Sequence, residues 1–255
     1  MLRLLAIPVL VLFFGVVVHA AEVTIGLDEW PPFSGENLPG GGITAEILTK
    51  VFEDAGYQPK ILILPWTRIE KWAQSGKLDV MGNLYYIDEI AVWARYSDPY
   101  YQSKIGFVGL RGRSISWSAL VDLKGFNIGV GRGYSFGSEF DHAGYLHKTV
   151  IPVTANGMRM MLEGRLDLVI DSEEVIRYHL AHDFSAEAKE FQILAPPLFE
   201  RPISIGVAKN NSRGPQIIED FNRSLARLRE NGTIERIISH HVADLGGSFS
   251  LSYQE

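Results

Sequence analysis

The chain has 255 residues, 46% of them hydrophobic, and a formal net charge of −6. It contains no cysteine, which excludes disulfides and a lipid-anchored cysteine, so each folding unit must hold by its own core. No basic patch with interleaved aromatic residues occurs, which excludes a typical nucleic-acid-binding surface. At the start, Arg3 is followed by the apolar run Leu4–Val18 and then by Val18-His19-Ala20. This reads as a secretory signal over residues 1–20 with a soluble, periplasmic mature chain from Ala21. The run is short for the competing reading, an uncleaved anchor. Val23–Leu27 predicts a strand, and Asp28-Glu29-Trp30-Pro31-Pro32-Phe33 a loop, because two prolines cannot continue a central strand. Ile47, Leu48, Val51, Phe52 and Ala55 share one face of a helix that starts near Thr44 and stops at Gly56. Lys60–Leu64 is a strand and Pro65 opens a helix. Ile105–Leu110 is an apolar strand, and the polar, glycine-containing run Arg111–Ser116 is expected to be a hinge. A short helix follows at Leu120–Leu123, then a strand at Phe126–Gly131 and a helix near Ser135. After Pro196-Pro197 come a strand over Ile203–Ala208 and a long helix from Pro215 to Asn231. The stripe Ile217, Ile218, Phe221, Leu225 and Leu228 of that helix is a core face. Strands alternating with helices predict mainly parallel α/β sheets.

One short segment occurs twice, as Gly76-Lys77-Leu78-Asp79 and as Gly164-Arg165-Leu166-Asp167. Each copy follows a helical stretch and precedes a short apolar strand, Leu78–Met81 and Leu166–Ile170. Each strand then meets polar residues, Gly82-Asn83 and Asp171-Ser172. Two similar halves, each aiming a strand end at the other, predict a cleft between two lobes of roughly 100 residues each.

In series, several segments carry a family resemblance over nearly the whole mature chain. They are Trp30-Pro31-Pro32-Phe33, the first repeat copy, Ser97-Asp98-Pro99-Tyr100-Tyr101, Asp122-Leu123-Lys124-Gly125, Ile128-Gly129-Val130-Gly131, the second repeat copy and Asn231-Gly232-Thr233. The chain resembles the extracellular solute-binding proteins of family 3, the periplasmic polar amino-acid-binding proteins of ABC uptake systems. The resemblance implies a bilobed periplasmic-binding-protein fold of type 2, with lobe 1 over 21–110 and again over 198–255, and lobe 2 over 111–197. It further implies a monomer that captures a small polar solute, an amino acid or related amine, closes about a hinge and delivers its ligand to an ABC-type membrane permease. No cofactor and no metal is implied.

The resemblance also implies two anchors for a zwitterion, whose charges must be matched when they lose water. The ammonium-gripping aspartate matches Asp171, for which a helix N-cap is the structural alternative. The carboxylate-gripping arginine falls on Ile90, or on Glu89 or Ala91 with a shift of one, and none of these is basic. Arg68, Arg95 and Arg132 are the candidate replacements, and Arg68 is preferred because it follows a strand end and Trp66. Aromatic residues crowd the strand-to-helix loops: Trp30, Phe33, Trp66, Tyr85, Tyr86 and Tyr134. With Asn83, Ser135 and Asp171 they complete the expected ligand-binding set of Trp30, Phe33, Trp66, Arg68, Asn83, Tyr85, Tyr134, Ser135 and Asp171. An aromatic cleft with an aspartate and no anchoring arginine suits an amine.

Three other patterns compete. Gly133-Tyr134-Ser135-Phe136-Gly137 fits a serine-hydrolase elbow, but no oxyanion-loop motif accompanies it. His179 and His182 are spaced to touch one metal ion but lack a third ligand. The resemblance also includes a cyclohexadienyl dehydratase-like enzyme on the same scaffold, the alternative to a binding protein.

Overall fold

The computed structural model describes residues 20–243, so the segment read as a signal lies almost entirely outside the described residues. Three parallel strands begin the fold: β1 (Ala21–Leu27) lies between β2 (Tyr57–Ile63) and β3 (Val80–Tyr85). Helix α1 (Ile43–Asp54) connects β1 to β2 and buries Ile47, Leu48, Val51 and Phe52, the stripe its periodicity requires. It ends at Gly56, whose φ of +85° is costly for any residue with a side chain. Helix α2 (Trp66–Gln74) connects β2 to β3, and α3 (Asp88–Ala91) precedes the short β4 (Ala94–Tyr96).

The chain then crosses to a second group of strands. Strand β5 (Tyr101–Leu110) is followed by β6 (Asn127–Gly131), α4 (Ser138–Asp141), β7 (His147–Ile151), α5 (Thr154–Leu162), β8 (Leu168–Ser172), α6 (Glu173–His182) and β9 (Phe191–Ile193). Strand β10 (Phe199–Ala208) returns, and α7 (Gly214–Glu230) and α8 (Thr233–Val242) pack on the first group. The strand order is β2-β1-β3-β10-β5-β8-β6-β7. Within each lobe the strands on the β1 and β6 sides are parallel, while β5 and β10 run antiparallel to their neighbours. This is the bilobed α/β architecture of periplasmic binding proteins.

Strand pairing locates the passage between lobes. Strand β5 pairs with β10 through Tyr101–Ile105 and with β8 through Ile105–Gly109, while β10 pairs with β3 at Ile203–Gly206. The crossing therefore lies inside two paired strands, before the polar run expected to be the hinge. That run is tied down: Arg111 N–H donates to Glu190 O, and Arg113 pairs with Asp167.

The repeated segment has one job in both lobes. Gly76 and Gly164 both stop a helix at φ +73°. Leu78 and Leu166 are both buried. Asp79 Oδ2 accepts from Thr24 N–H at 3.0 Å on β1, and Asp167 Oδ2 accepts from Asn127 N–H at 2.8 Å on β6. The aspartate thus staples the helix-to-strand turn to the first parallel strand of its lobe.

Several elements differ from expectation: β2 begins at Tyr57 rather than Lys60, β5 at Tyr101 rather than Ile105 and β10 at Phe199 rather than Ile203. Strand β3 runs on through Gly82 and Asn83 because β10, remote in sequence, pairs with Leu84 and Tyr85. Strand β8 likewise includes Asp171 and Ser172, opposite Gly106 and Ile105. The helix expected at Ser135 begins only at Ser138, after a turn that needs Gly137 at φ +94°.

Candidate functional site: the cleft between the lobes

The ends of β1, β3, β6 and β8 converge on one inner pocket. Its lining includes Asp28, Trp30, Trp66, Asn83, Tyr85, Tyr134, Ser135 and Asp171, and its volume is about 40 Å³, space for little more than water. The lobes meet there through side chains. Trp30 Nε1 donates to Asp171 Oδ1 at 3.0 Å, and Tyr134 O–H donates to Asp28 Oδ2 at 2.6 Å.

Asp171 is 2% exposed near the end of β8. It also accepts from Thr154 Oγ1 and from Ser172 N–H. Burial pushes its pKa up to about 6 against the pull of these donors, and the nearby Asp28 adds to the rise. Its alternative role as a helix cap belongs instead to Ser172, whose hydroxyl accepts from Val175 N–H.

Asp28 follows β1 directly, is buried, and has its pKa raised by desolvation. In the sequence it is one loop residue before the Trp-Pro-Pro-Phe run, and its position one residue beyond a parallel strand is the signal that marks it. Asn83 orients it, with Nδ2 donating to Asp28 Oδ1 at 3.0 Å and to Ser34 Oγ at 2.7 Å. Asn83 holds φ +53°, which asparagine tolerates better than most residues. Its own Oδ1 is buried without a hydrogen-bond partner.

The aromatic residues divide into walls and support. Trp30 stands edge-on to Tyr85 at 5.9 Å and to Tyr134 at 6.4 Å between ring centroids. Trp66 borders the inner pocket and both larger recesses beside it. Phe33 is fully buried behind Trp30, stacked at 4.4 Å, and supports the wall without lining the pocket.

Ser135 lines the pocket with its hydroxyl turned to Asp141 Oδ2 at 2.5 Å. Among the described residues its hydrogen-bond partners include no histidine: His142 bonds Ser138 and His241 bonds Glu46. The geometry therefore does not form the hydrolase triad that the glycine-serine pattern suggested. His179 is buried against Asp183, and His182 faces the Tyr178 carbonyl.

Arg68 is exposed on α2 and lines none of the three cleft cavities. Arg95 donates to Lys209 O, away from the cleft. Arg132 borders a recess of about 310 Å³ with Glu29, Trp66 and Tyr134. Ile90 is buried. The arginine that borders the other recess, of about 430 Å³, is Arg201 on β10, which sequence reading did not single out. Only the pairing of β10 with β5 brings it to the cleft.

Solved structures share this fold. The arginine-, lysine-, histidine-binding protein ArtJ from Geobacillus stearothermophilus aligns at 20% identity over 87% of this chain and 95% of its own, with a TM-score of 0.73. The GluR0 ligand-binding core from Nostoc punctiforme, in complex with L-glutamate, aligns at 17% identity over 86% and 98%, with a TM-score of 0.73. A histidine kinase sensor domain with similarity to periplasmic binding proteins aligns at 19% identity over 88% and 96%, with a TM-score of 0.77. No curated protein sequence matches the chain. Residues 23–244 match the model of the bacterial extracellular solute-binding proteins, family 3, and the chain belongs to that family.

Proposed function

We propose that this solute-binding protein captures a small solute bearing an ammonium group, an amino acid or a related amine, between its two lobes. The observation that carries the reading is the polarity of the inner pocket. Two buried carboxylates, Asp28 and Asp171, and the unpaired Asn83 Oδ1 face a cavity that no basic residue lines. Such a pocket offers acceptors and negative charge, and what it lacks is a cation with hydrogens to donate. The rings of Trp30, Trp66, Tyr85 and Tyr134 complete it with faces suited to an organic cation.

Family membership favours a binding protein over the dehydratase-like alternative. Periplasmic location, a monomeric state and delivery to an ABC-type permease are part of the proposal. So is the division into a discontinuous first lobe and an inserted second one, supported by the crossing of β5 and β10. Entry requires the Trp30–Asp171 and Tyr134–Asp28 contacts to part, and ligand contacts with both lobes would then favour reclosure.

A thermal-shift screen followed by calorimetry tests this. Amino acids and amines should stabilise the protein, and Asp171→Asn should abolish the effect. Stabilisation by dicarboxylates or neutral sugars alone would reject the reading.

A further inference from the structure

Arg201 occupies an unusual place. It projects from β10, one of the two strands that cross between the lobes, at the pair Arg201↔Ser103. Its guanidinium lies 4.6 Å from the Phe199 ring centroid, and Nη1 donates to Tyr86 O at 3.4 Å in the loop after β3. On the other side it packs on the glycine turn of the second lobe. A Cβ added to Gly137 would sit 2.4 Å from Arg201 Nη2. One arginine on a crossing strand therefore touches both walls of the cleft.

Its charge is uncommitted. Among the described residues, no carboxylate lies within ion-pair distance of Arg201. The recess it borders also contains Glu70, Asp88, Glu89 and Asp141. Asp141 is spent on its own turn, accepting from Ser135 Oγ and Phe136 N–H. Asp88 and Glu89 are exposed, where solvent and salt screen them. Glu70 is half-buried and desolvated, which disfavours its charged form. The recess meets the inner pocket at Trp66, Ile87 and Ser135, which line both.

We propose that Arg201 reads the anionic end of the ligand, so that the preferred solute is a zwitterion whose ammonium sits at Asp28 and Asp171 and whose carboxylate reaches the crossing strand. This rests on the reading of the inner pocket as the ammonium site. A planar guanidinium, stacked on a ring and with most of its N–H groups uncommitted, is preorganised for a carboxylate fork. Its seat on β10 also couples ligand charge to the strand that must flex when the lobes move.

The test compares each amino acid with its decarboxylated amine: arginine with agmatine, lysine with 1,5-diaminopentane, histidine with histamine and phenylalanine with phenethylamine. Dissociation constants are measured by calorimetry on the wild type, Arg201→Ala, Arg201→Lys and Arg132→Ala. In the wild type, at least one acid should bind roughly tenfold or more tightly than its amine, the scale of a charge-assisted contact. Arg201→Ala should bring that ratio close to one. Arg201→Lys, which keeps the charge, should retain part of the ratio, and Arg132→Ala should retain all of it. Amines binding as tightly as acids in the wild type, or a ratio lost in Arg132→Ala and kept in Arg201→Ala, would overturn the role of Arg201 while the ammonium site stands. Binding of neither class would overturn both.

Discussion

Trp30 and Asp171 meet across the cleft, the indole N–H donating to the carboxylate at 3.0 Å although 141 positions separate them in the chain. The bond joins the loop after β1 to the end of β8, and so ties one lobe to the other with no ligand between them. It also supplies one of the three donors that make a buried charge tolerable at Asp171.

Trp30→Phe keeps a ring against Phe33 and removes that donor. The ligand-free protein should lose about 1–3 kcal/mol, the cost of leaving a buried acceptor short of a partner. Urea denaturation measures the loss. The lobes should also part more readily, seen as a larger ligand-free radius of gyration by small-angle scattering.

Ligand affinity should depend on pH through Asp171. Its pKa of about 6 is raised, so the folded state holds a proton that the unfolded chain has lost between about pH 4 and pH 6. For this group, stability is therefore greatest at low pH and falls as pH rises through that window. Affinity for an ammonium runs the opposite way, because the cation needs the ionised carboxylate. Calorimetry between pH 7 and pH 5 should show binding weakening toward about tenfold per unit below the pKa. In Trp30→Phe the midpoint should move upward, since a donor to the charged form is gone.

Asp171→Asn should separate binding from folding. The variant should lose ligand-induced thermal stabilisation and bind at least about a hundredfold more weakly, as expected when a buried charge loses its partner. The ligand-free fold should be retained and gain up to about 3 kcal/mol at pH 7, the cost of holding a carboxylate two units above its ordinary pKa. Thermal melts with and without ligand read both effects.

Asn83 combines a backbone and a side-chain role, and two substitutions divide them. Asn83→Gly accommodates φ +53° and loses the bonds to Asp28 and Ser34, so it should weaken binding and cost about 1–3 kcal/mol for the buried acceptors left short of a partner. Asn83→Ala loses the same bonds and adds backbone strain of about 1 kcal/mol or more. Equal unfolding free energies for the two would show that the backbone is not strained.

Glu174 governs the crossing strand from below. It is buried and accepts from Tyr101 O–H at 3.2 Å and Ser103 Oγ at 3.1 Å on β5, and from Ser172 Oγ at 2.7 Å. Glu174→Ala should cost about 1–3 kcal/mol by removing an acceptor that three buried hydroxyls share, and Glu174→Gln less, because an acceptor remains. Chemical denaturation of the ligand-free variants makes the comparison.

The legibility of the fold varied with the range of its causes. Helix α1 could be read from its stripe and from Gly56, and α7 from Ile217, Phe221 and Leu225, because a 3.6-residue period is a local property. The twin Gly-Lys/Arg-Leu-Asp segments indicated two comparable lobes, and their aspartates do the same structural work in each. The ends of β3 and β8 were misplaced because their length depends on partners elsewhere in the chain. Within the cleft, Trp30, Trp66, Asn83, Tyr85, Tyr134, Ser135 and Asp171 all line the inner pocket, at or near strand ends. Phe33 lies behind it and Arg68 outside it, since a loop position fixes proximity to a site but not the direction of a side chain.

The sequence by itself determined the α/β alternation, the two-lobed plan and most of the aromatic lining, because periodicity, turn chemistry and strand ends are written locally. Only the tertiary structure decided the electrostatics. Asp28 comes to act on Asp171 when both are brought to one pocket, and Arg201 reaches the cleft when β10 crosses between the lobes. Charge matters by distance and burial, and both depend on which remote strands pair.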